Sequence, residues 1–279
     1  WTARKKPVST ATRVLPTSCL ISPPDKVPAI LQVRRCRGQL ALRLLRCSSV
    51  MKGLSTAAST LLSISSLGCA RGGRVVLRDL GFELGAGQLL MLRGHNGAGK
   101  SSLLRCLAGL LPWRAGSLQW CGDTLSPRDP AYQRQLVYMG HQAGMSDALT
   151  GLENLRFALD LMAVHWNEAR VQAVLQVLSL SGVVTRPFGR LSQGQRRRLG
   201  LARVLLGERS LWLLDEPDNC LDVQGEQYLG DALEQHLASG GMAVVASHRN
   251  LVLPASWVTV LDLSHVVAGA SKNERVAVC

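Results

Sequence analysis

The sequence has 279 residues, 47% apolar and 18% charged, which is enough to bury a sizeable core and too apolar for wholesale disorder. It contains no run of about 18 uninterrupted apolar residues, so no spanning helix is expected. The net charge of +13 is uneven: residues 1–52 carry 11 Lys or Arg against the single Asp25, whereas residues 53–279 stand at only +3. The basic character belongs to an extension and gives no argument for a nucleic-acid partner of the folded part.

The extension, residues 1–52, opens on Trp1 rather than Met and holds five prolines before position 29. It is Arg-rich and nearly free of acid, as organellar transit peptides are. The alternative is that Met51 is the true start and the upstream stretch is not translated in life. In either case the composition predicts no packed structure there. Residues 53–265 are read as one folded domain, with 266–279 as a tail. The eight cysteines form no C-x-x-C pair and no recurring spacing with His. That argues against a disulfide framework or a zinc site and fits thiols in a reducing compartment.

Along the domain, short apolar runs alternate with helical patterns. Leu61–Leu67, Arg74–Leu77 and Gln88–Arg93 read as strands, and Ser101–Leu111 as a helix. Leu152–Val164 and Glu168–Leu180 are apolar at helical spacing, with Val171, Val174, Leu175 and Leu178 on one face. Residues 133–190 therefore read as a helical insertion with no strong strand. Leu211–Asp215 and Met242–Ser247 have the length of buried strands. The alternation predicts an α/β fold with parallel strands in its core.

Gly94-His95-Asn96-Gly97-Ala98-Gly99-Lys100-Ser101 matches the phosphate-loop pattern G-x-x-x-x-G-K-[ST], between an expected strand and an expected helix. Glycines let such a loop turn its N–H groups inward onto phosphate oxygens, and the helix that follows adds its positive end. Lys100 reaches the β- and γ-phosphates, the Ser101 hydroxyl can ligate Mg²⁺, and Ser102 completes the nucleotide-binding set. Leu211–Glu216 is an apolar strand ending in two carboxylates at the edge where open α/β sheets bind ligands. Asp215 is the candidate Mg²⁺ ligand, and Glu216 the candidate base for the attacking water. Ser192, standing where a helix should begin before Gly194 and Gln195, makes a second anion site. Arg196, Arg197 and Arg198 after it read as a solvated helix face. His165, His236 and His265 read as solvated surface, and His141 as positional.

Leu191-Ser192-Gln193-Gly194-Gln195 resembles the signature of ABC-type ATPases, with Gln193 where Gly is commonest. Gln142, Leu221-Asp222 and His248 stand around it in that family's order, and the motifs together span residues 94–248. The resemblance implies a P-loop NTPase fold with a mainly parallel core sheet, an antiparallel β edge and a helical subdomain. It implies that Gln142 contacts Mg²⁺ and the attacking water, that His248 contacts the γ-phosphate, and that Asp222 acts across a dimer interface. Ser192, Gly194 and Gln195 of one copy would close on the ATP held by Lys100 of another, giving a homodimer with two ATP molecules.

Gly140-His141-Gln142, Leu149–Phe157 and Leu191–Arg198 resemble, more narrowly, the ATP-binding subunits of cytochrome c maturation (haem exporter) transporters. That resemblance implies an ATPase peripheral on a membrane and working with transmembrane permease subunits. Together with the basic extension, it leads to an expected place on the matrix face of the mitochondrial inner membrane, or on the cytoplasmic face of a bacterial plasma membrane. Competing readings are the ATPase of another exporter, a soluble ABC-type ATPase of the iron–sulfur assembly type, and a non-catalytic interaction protein. Lys100 and Ser192 stand 92 residues apart, too close for the long coiled coil of DNA-repair relatives. One departure concerns the base: no Phe, Tyr or Trp lies between Trp1 and Phe82 to stack on adenine. The Arg71 guanidinium could stack instead, but beside Gly72-Gly73 it reads first as a solvated turn residue.

Overall fold

The computed structural model describes residues 32–36, 39–43, 60–72, 74–142, 144–249 and 251–264. Within the extension, β1 (Gln32–Cys36) and β2 (Gln39–Arg43) pair as an antiparallel ribbon. The remainder is built on two sheets. Four antiparallel strands, β3 (Thr60–Arg71), β4 (Arg74–Gly85), β6 (Ala115–Trp120) and β7 (Asp123–Leu125), run in the order β4-β3-β6-β7. Five parallel strands form the core in the order β11-β5-β10-β9-β8. They are β5 (Leu89–Arg93), β8 (Leu136–Met139), β9 (Leu211–Asp215), β10 (Met242–Ala246) and β11 (Val258–Asp262).

β9 and β10 are buried at every position, so their runs show no polar alternation, as expected of parallel strands covered on both faces. One face packs against α1 (Lys100–Leu107) and the antiparallel sheet, through Leu90, Leu92, Leu103, Leu107, Leu213 and Val244. The short α2 (Pro130–Gln133) leads into β8, and the other face packs against α3 (Gly151–Leu161), α4 (Glu168–Val177), α5 (Gln193–Leu206) and α6 (Val223–Ala238). All five parallel strands end at one edge. In register, Leu92, Ala246 and Asp215 stand level across β5, β10 and β9.

Three sequence expectations are corrected. β3 and β4 run to 12 residues each, well past Leu67 and Leu77. Their pairing shifts register between Ile64 and Leu67, where Ser66 takes φ 51°, and such bulges break the alternation that marks a strand. The stretch 133–190 contains β8, a four-residue core strand too short to be legible beside the helices around it. α1 stops at Leu107 rather than Leu111 because Gly109 follows its cap at φ 70°, where a Cβ would lie 2.6 Å from the Pro127 carbonyl. Cys69 and Cys106, far apart in sequence, are both buried free thiols in hydrogen-bonding contact.

Candidate functional site

The loop from Gly94 to Gly99 joins the end of β5 to the start of α1. Gly99 stands at the helix N-cap with φ 101°, and a Cβ there would meet Leu77 at 3.0 Å and Val76 at 3.1 Å. Only glycine fits both that backbone and that approach to β4. Ala98, Lys100 and Ser102 are buried, and His95, Asn96 and Gly97 are exposed. The Lys100 ammonium donates to the carbonyls of Gly94 at 2.7 Å and His95 at 3.2 Å. It is thus held across the mouth of its own loop.

Ser101 Oγ donates to Asp215 Oδ1 at 3.0 Å, joining the phosphate loop to the end of β9. Asp215 is 2% exposed, and its Oδ2 atom is buried with no hydrogen-bond partner. Burial raises the Asp215 carboxyl above its ordinary value, and the Ser101 hydrogen bond works against that rise. A desolvated carboxylate oxygen beside a serine hydroxyl is a set of hard oxygen donors, so these residues fit Mg²⁺, which takes few protein ligands and leaves room for phosphate and water.

Glu216 follows at φ 50°, a left-handed turn that bulky residues rarely adopt. Its N–H donates to the Ala246 carbonyl at 2.7 Å. The carboxylate lies between two imidazoles, with His248 Nε2 3.8 Å from Oε1 and His141 Nδ1 3.8 Å from Oε2. Both rings are largely exposed, so the cluster faces solvent above the sheet edge. Gln142 follows His141 and is also exposed.

Ser192 is the N-cap of α5, as the sequence suggests. Its Oγ accepts from the Gln195 N–H at 3.2 Å, and the Gln195 side chain accepts from the Ser192 N–H at 2.9 Å. This capping box satisfies two free donors of the first turn. Gly194 lies against the Cys220 carbonyl, which a Cβ would approach to 2.9 Å. Asp222 caps α6, accepting from Gly225 N–H at 2.8 Å. The structure thus gathers the phosphate loop, Asp215, Glu216, His248 and the His141-Gln142 turn at one edge. Ser192, Gly194, Gln195 and Asp222 belong instead to the neighbouring starts of α5 and α6.

Two groups escaped the sequence reading. Ser247 Oγ donates to Asp218 Oδ2 at 2.9 Å, and both residues are buried, tying the end of β10 to the turn after β9. Arg197 is 7% exposed and is not on a solvated face. Its spacing to Leu201 and Val204 at i+4 and i+7 places it on the buried stripe of α5, a signal the run of three arginines hides. Arg196, by contrast, lies over the Phe188 ring at 5.2 Å.

Residues 77–219 match the family described as ABC transporter. The chain belongs to that family. It carries the family's ATP-hydrolysing domain, on an α/β fold with the parallel sheet, antiparallel edge and helices described above. Among its relatives is the cytochrome c biogenesis ATP-binding export protein CcmA of Bordetella bronchiseptica, 48% identical over 207 residues, covering 74% of this chain and 91% of that protein. The protein of the same name from Cupriavidus pinatubonensis is 43% identical over 204 residues, covering 73% and 90%. A solved ATP-binding subunit of an ABC transporter superposes with TM-score 0.63 at 26% identity, covering 74% of this chain and 87% of that one. An ATP-binding protein from Pyrococcus furiosus, titled a putative ABC transporter, gives TM-score 0.64 at 22% identity over 74% and 98%, a likeness of fold alone.

Proposed function

We propose that this protein is the ATP-hydrolysing subunit of a cytochrome c biogenesis exporter of the haem-export type, and that it powers transmembrane permease subunits. Identity of 48% to a protein of that name supports the transporter assignment. The observation that carries the chemistry is the edge itself: Ser101 bonded to Asp215, with Glu216 beside them and His248 3.8 Å from its carboxylate.

ATP binds with its phosphates in the Gly94–Ser102 cradle, and Lys100 turns from its two loop carbonyls onto the β- and γ-phosphates. Ser101, Asp215 and Gln142 would hold Mg²⁺, which supplies positive charge against the phosphate oxygens when bound. Glu216 accepts a proton from the attacking water, whose oxygen bonds to the γ-phosphorus as the bond to the β–γ bridging oxygen breaks. His248 steadies a γ-phosphate oxygen, and Gln142 orients the water. Ser192, Gly194 and Gln195 of a second copy close the site, with Asp222 at the interface.

Among the described residues no helix is long and apolar enough to cross a membrane. The two cytochrome c biogenesis relatives named above are bacterial, which favours the cytoplasmic face of a bacterial plasma membrane. The mitochondrial alternative rests on the composition of residues 1–52. The N-terminal sequence of the protein isolated from its own cells separates the two.

The chemistry is tested by Glu216→Gln. It should keep ATP binding and lose about 10²–10⁴-fold in turnover, the usual worth of a positioned base. Near wild-type turnover in this variant would remove Glu216 from the role. The transporter assignment is tested by capture from detergent-solubilised membranes, where cytochrome c maturation membrane proteins should copurify. Recovery of iron–sulfur assembly proteins instead would favour the soluble reading.

A further inference from the structure

The site described above does not account for Arg197. Its guanidinium is buried on α5, five residues past Ser192, yet it reaches two other segments at once. Nη1 donates to the Gly140 carbonyl at 2.8 Å and the His141 carbonyl at 3.2 Å. Nη2 donates to the carbonyls of Asp215 and Glu216. One side chain thus joins the helix that begins at Ser192, the turn that leads into Gln142, and the turn that carries Glu216.

The attachment at Glu216 matters most. That residue sits in the left-handed region at φ 50°, a conformation that persists only where its surroundings hold it. Its N–H is fixed by the Ala246 carbonyl, and its own carbonyl by Arg197. These two bonds set the direction of the Glu216 backbone, and so the position from which its carboxylate meets water. Burial lowers the Arg197 pKa, while the nearby Asp215, Asp218 and Glu216 carboxylates favour its charge. The desolvation cost is offset by four carbonyl acceptors.

We infer that Arg197 is a positioning residue for hydrolysis: it holds the Glu216 turn and the Gln142 turn in fixed relation to the helix bearing Ser192. A planar guanidinium can bridge four carbonyls in this way, whereas an ammonium on a flexible stem cannot. Displacement of a reacting group by about 1 Å is enough to cost on the order of a hundredfold in rate.

The inference rests on the reading of Glu216 as base, so wild type and Glu216→Gln are measured beside the test variants. Arg197→Lys and Arg197→Gln are compared with Arg203→Lys. Arg203 is half-buried on α5, and it donates to the Tyr138 carbonyl within β8, away from the catalytic turns. The Arg197 variants should lose about tenfold to a hundredfold in kcat while KM for ATP stays within about threefold, with Lys retaining more than Gln. Arg203→Lys should lose thermal stability without that split. Unchanged kcat in Arg197→Lys, or the same kcat loss in Arg203→Lys, would overturn the inference. So would loss of folded protein in both Arg197 variants, which would assign the residue to the fold alone. High turnover in Glu216→Gln would instead defeat the base assignment itself.

Discussion

At the residue scale, His236 shows what a sequence pattern hides. It reads as surface beside polar neighbours, yet α6 buries Leu229, Ala232, Leu233, His236 and Leu237 at i, i+3, i+4, i+7 and i+8. That spacing was the available signal. The ring stacks on Trp212 at 3.9 Å and lies 3.0 Å from the Met242 carbonyl through Nε2. Its edge fills the space where a Gly241 Cβ would be, 2.2 Å away, so Gly241 answers to His236. Burial lowers the His236 pKa from 6.5 to about 4. Folding therefore favours the neutral ring, and the unfolded chain binds the extra proton. Stability should be intact above about pH 6.5 and fall as pH drops toward 4, by up to about 3 kcal/mol. The raised Asp215 carboxyl works the other way at the acid end of that window. Urea unfolding at pH 7 and pH 5 should show the loss in wild type and a much smaller one in His236→Phe, which keeps the ring stack. Equal pH dependence in the two proteins would contradict the assignment.

At the element scale, what the sequence reveals follows from how each element is stabilised. Glycines with obligatory geometry, as at Gly99, and an apolar strand closed by two acids, as at β9, leave their reason in the residue order. β8 does not, because four residues covered on both faces have no period to display. Nor does the Arg197 bridge, whose partners are all backbone carbonyls and so leave no side-chain trace at positions 140, 141, 215 and 216. The β3–β4 hairpin bears on function at this scale. β4 enters beside the phosphate loop, with Val76 and Leu77 against Gly99. Phe82 is the first aromatic residue after Trp1; it lies on β4, half-buried, and packs against the core. Arg71 at the hairpin end is exposed. By sequence the hairpin before Phe82 offers a base no aromatic platform, a contact worth about 1–3 kcal/mol by analogy with base stacking in nucleic-acid binders. Competition binding should show weak discrimination between ATP and GTP. A preference for ATP above about a hundredfold that survives Arg71→Ala would point to a platform elsewhere.

At the scale of the whole molecule, the chain holds one phosphate loop and, at the start of α5, a second anion-seeking end. The Ser192 capping box satisfies only part of the first turn, and Ser192 is exposed. Gly194 packs on the Cys220 carbonyl, so the start of α5 and the turn before Asp222 lie against one another on the same molecule. Such a surface has a use if a second copy brings its own ATP to it, each molecule lending its α5 end to the other's phosphates. Hydrolysis then depends on assembly, and ATP acts as the bridging ligand that stabilises the dimer by mass action. Glu216→Gln protein, which should bind ATP without consuming it, is the form in which this is visible. In size-exclusion chromatography it should elute as a dimer with ATP and as a monomer without it. Adding Ser192→Arg places a bulky cation at the positive end of α5 and in the path of the partner's phosphates. The double variant should still bind ATP through its own Lys100 loop but remain a monomer. An ATP-dependent dimer that persists despite Ser192→Arg would show that the two copies meet without this helix end.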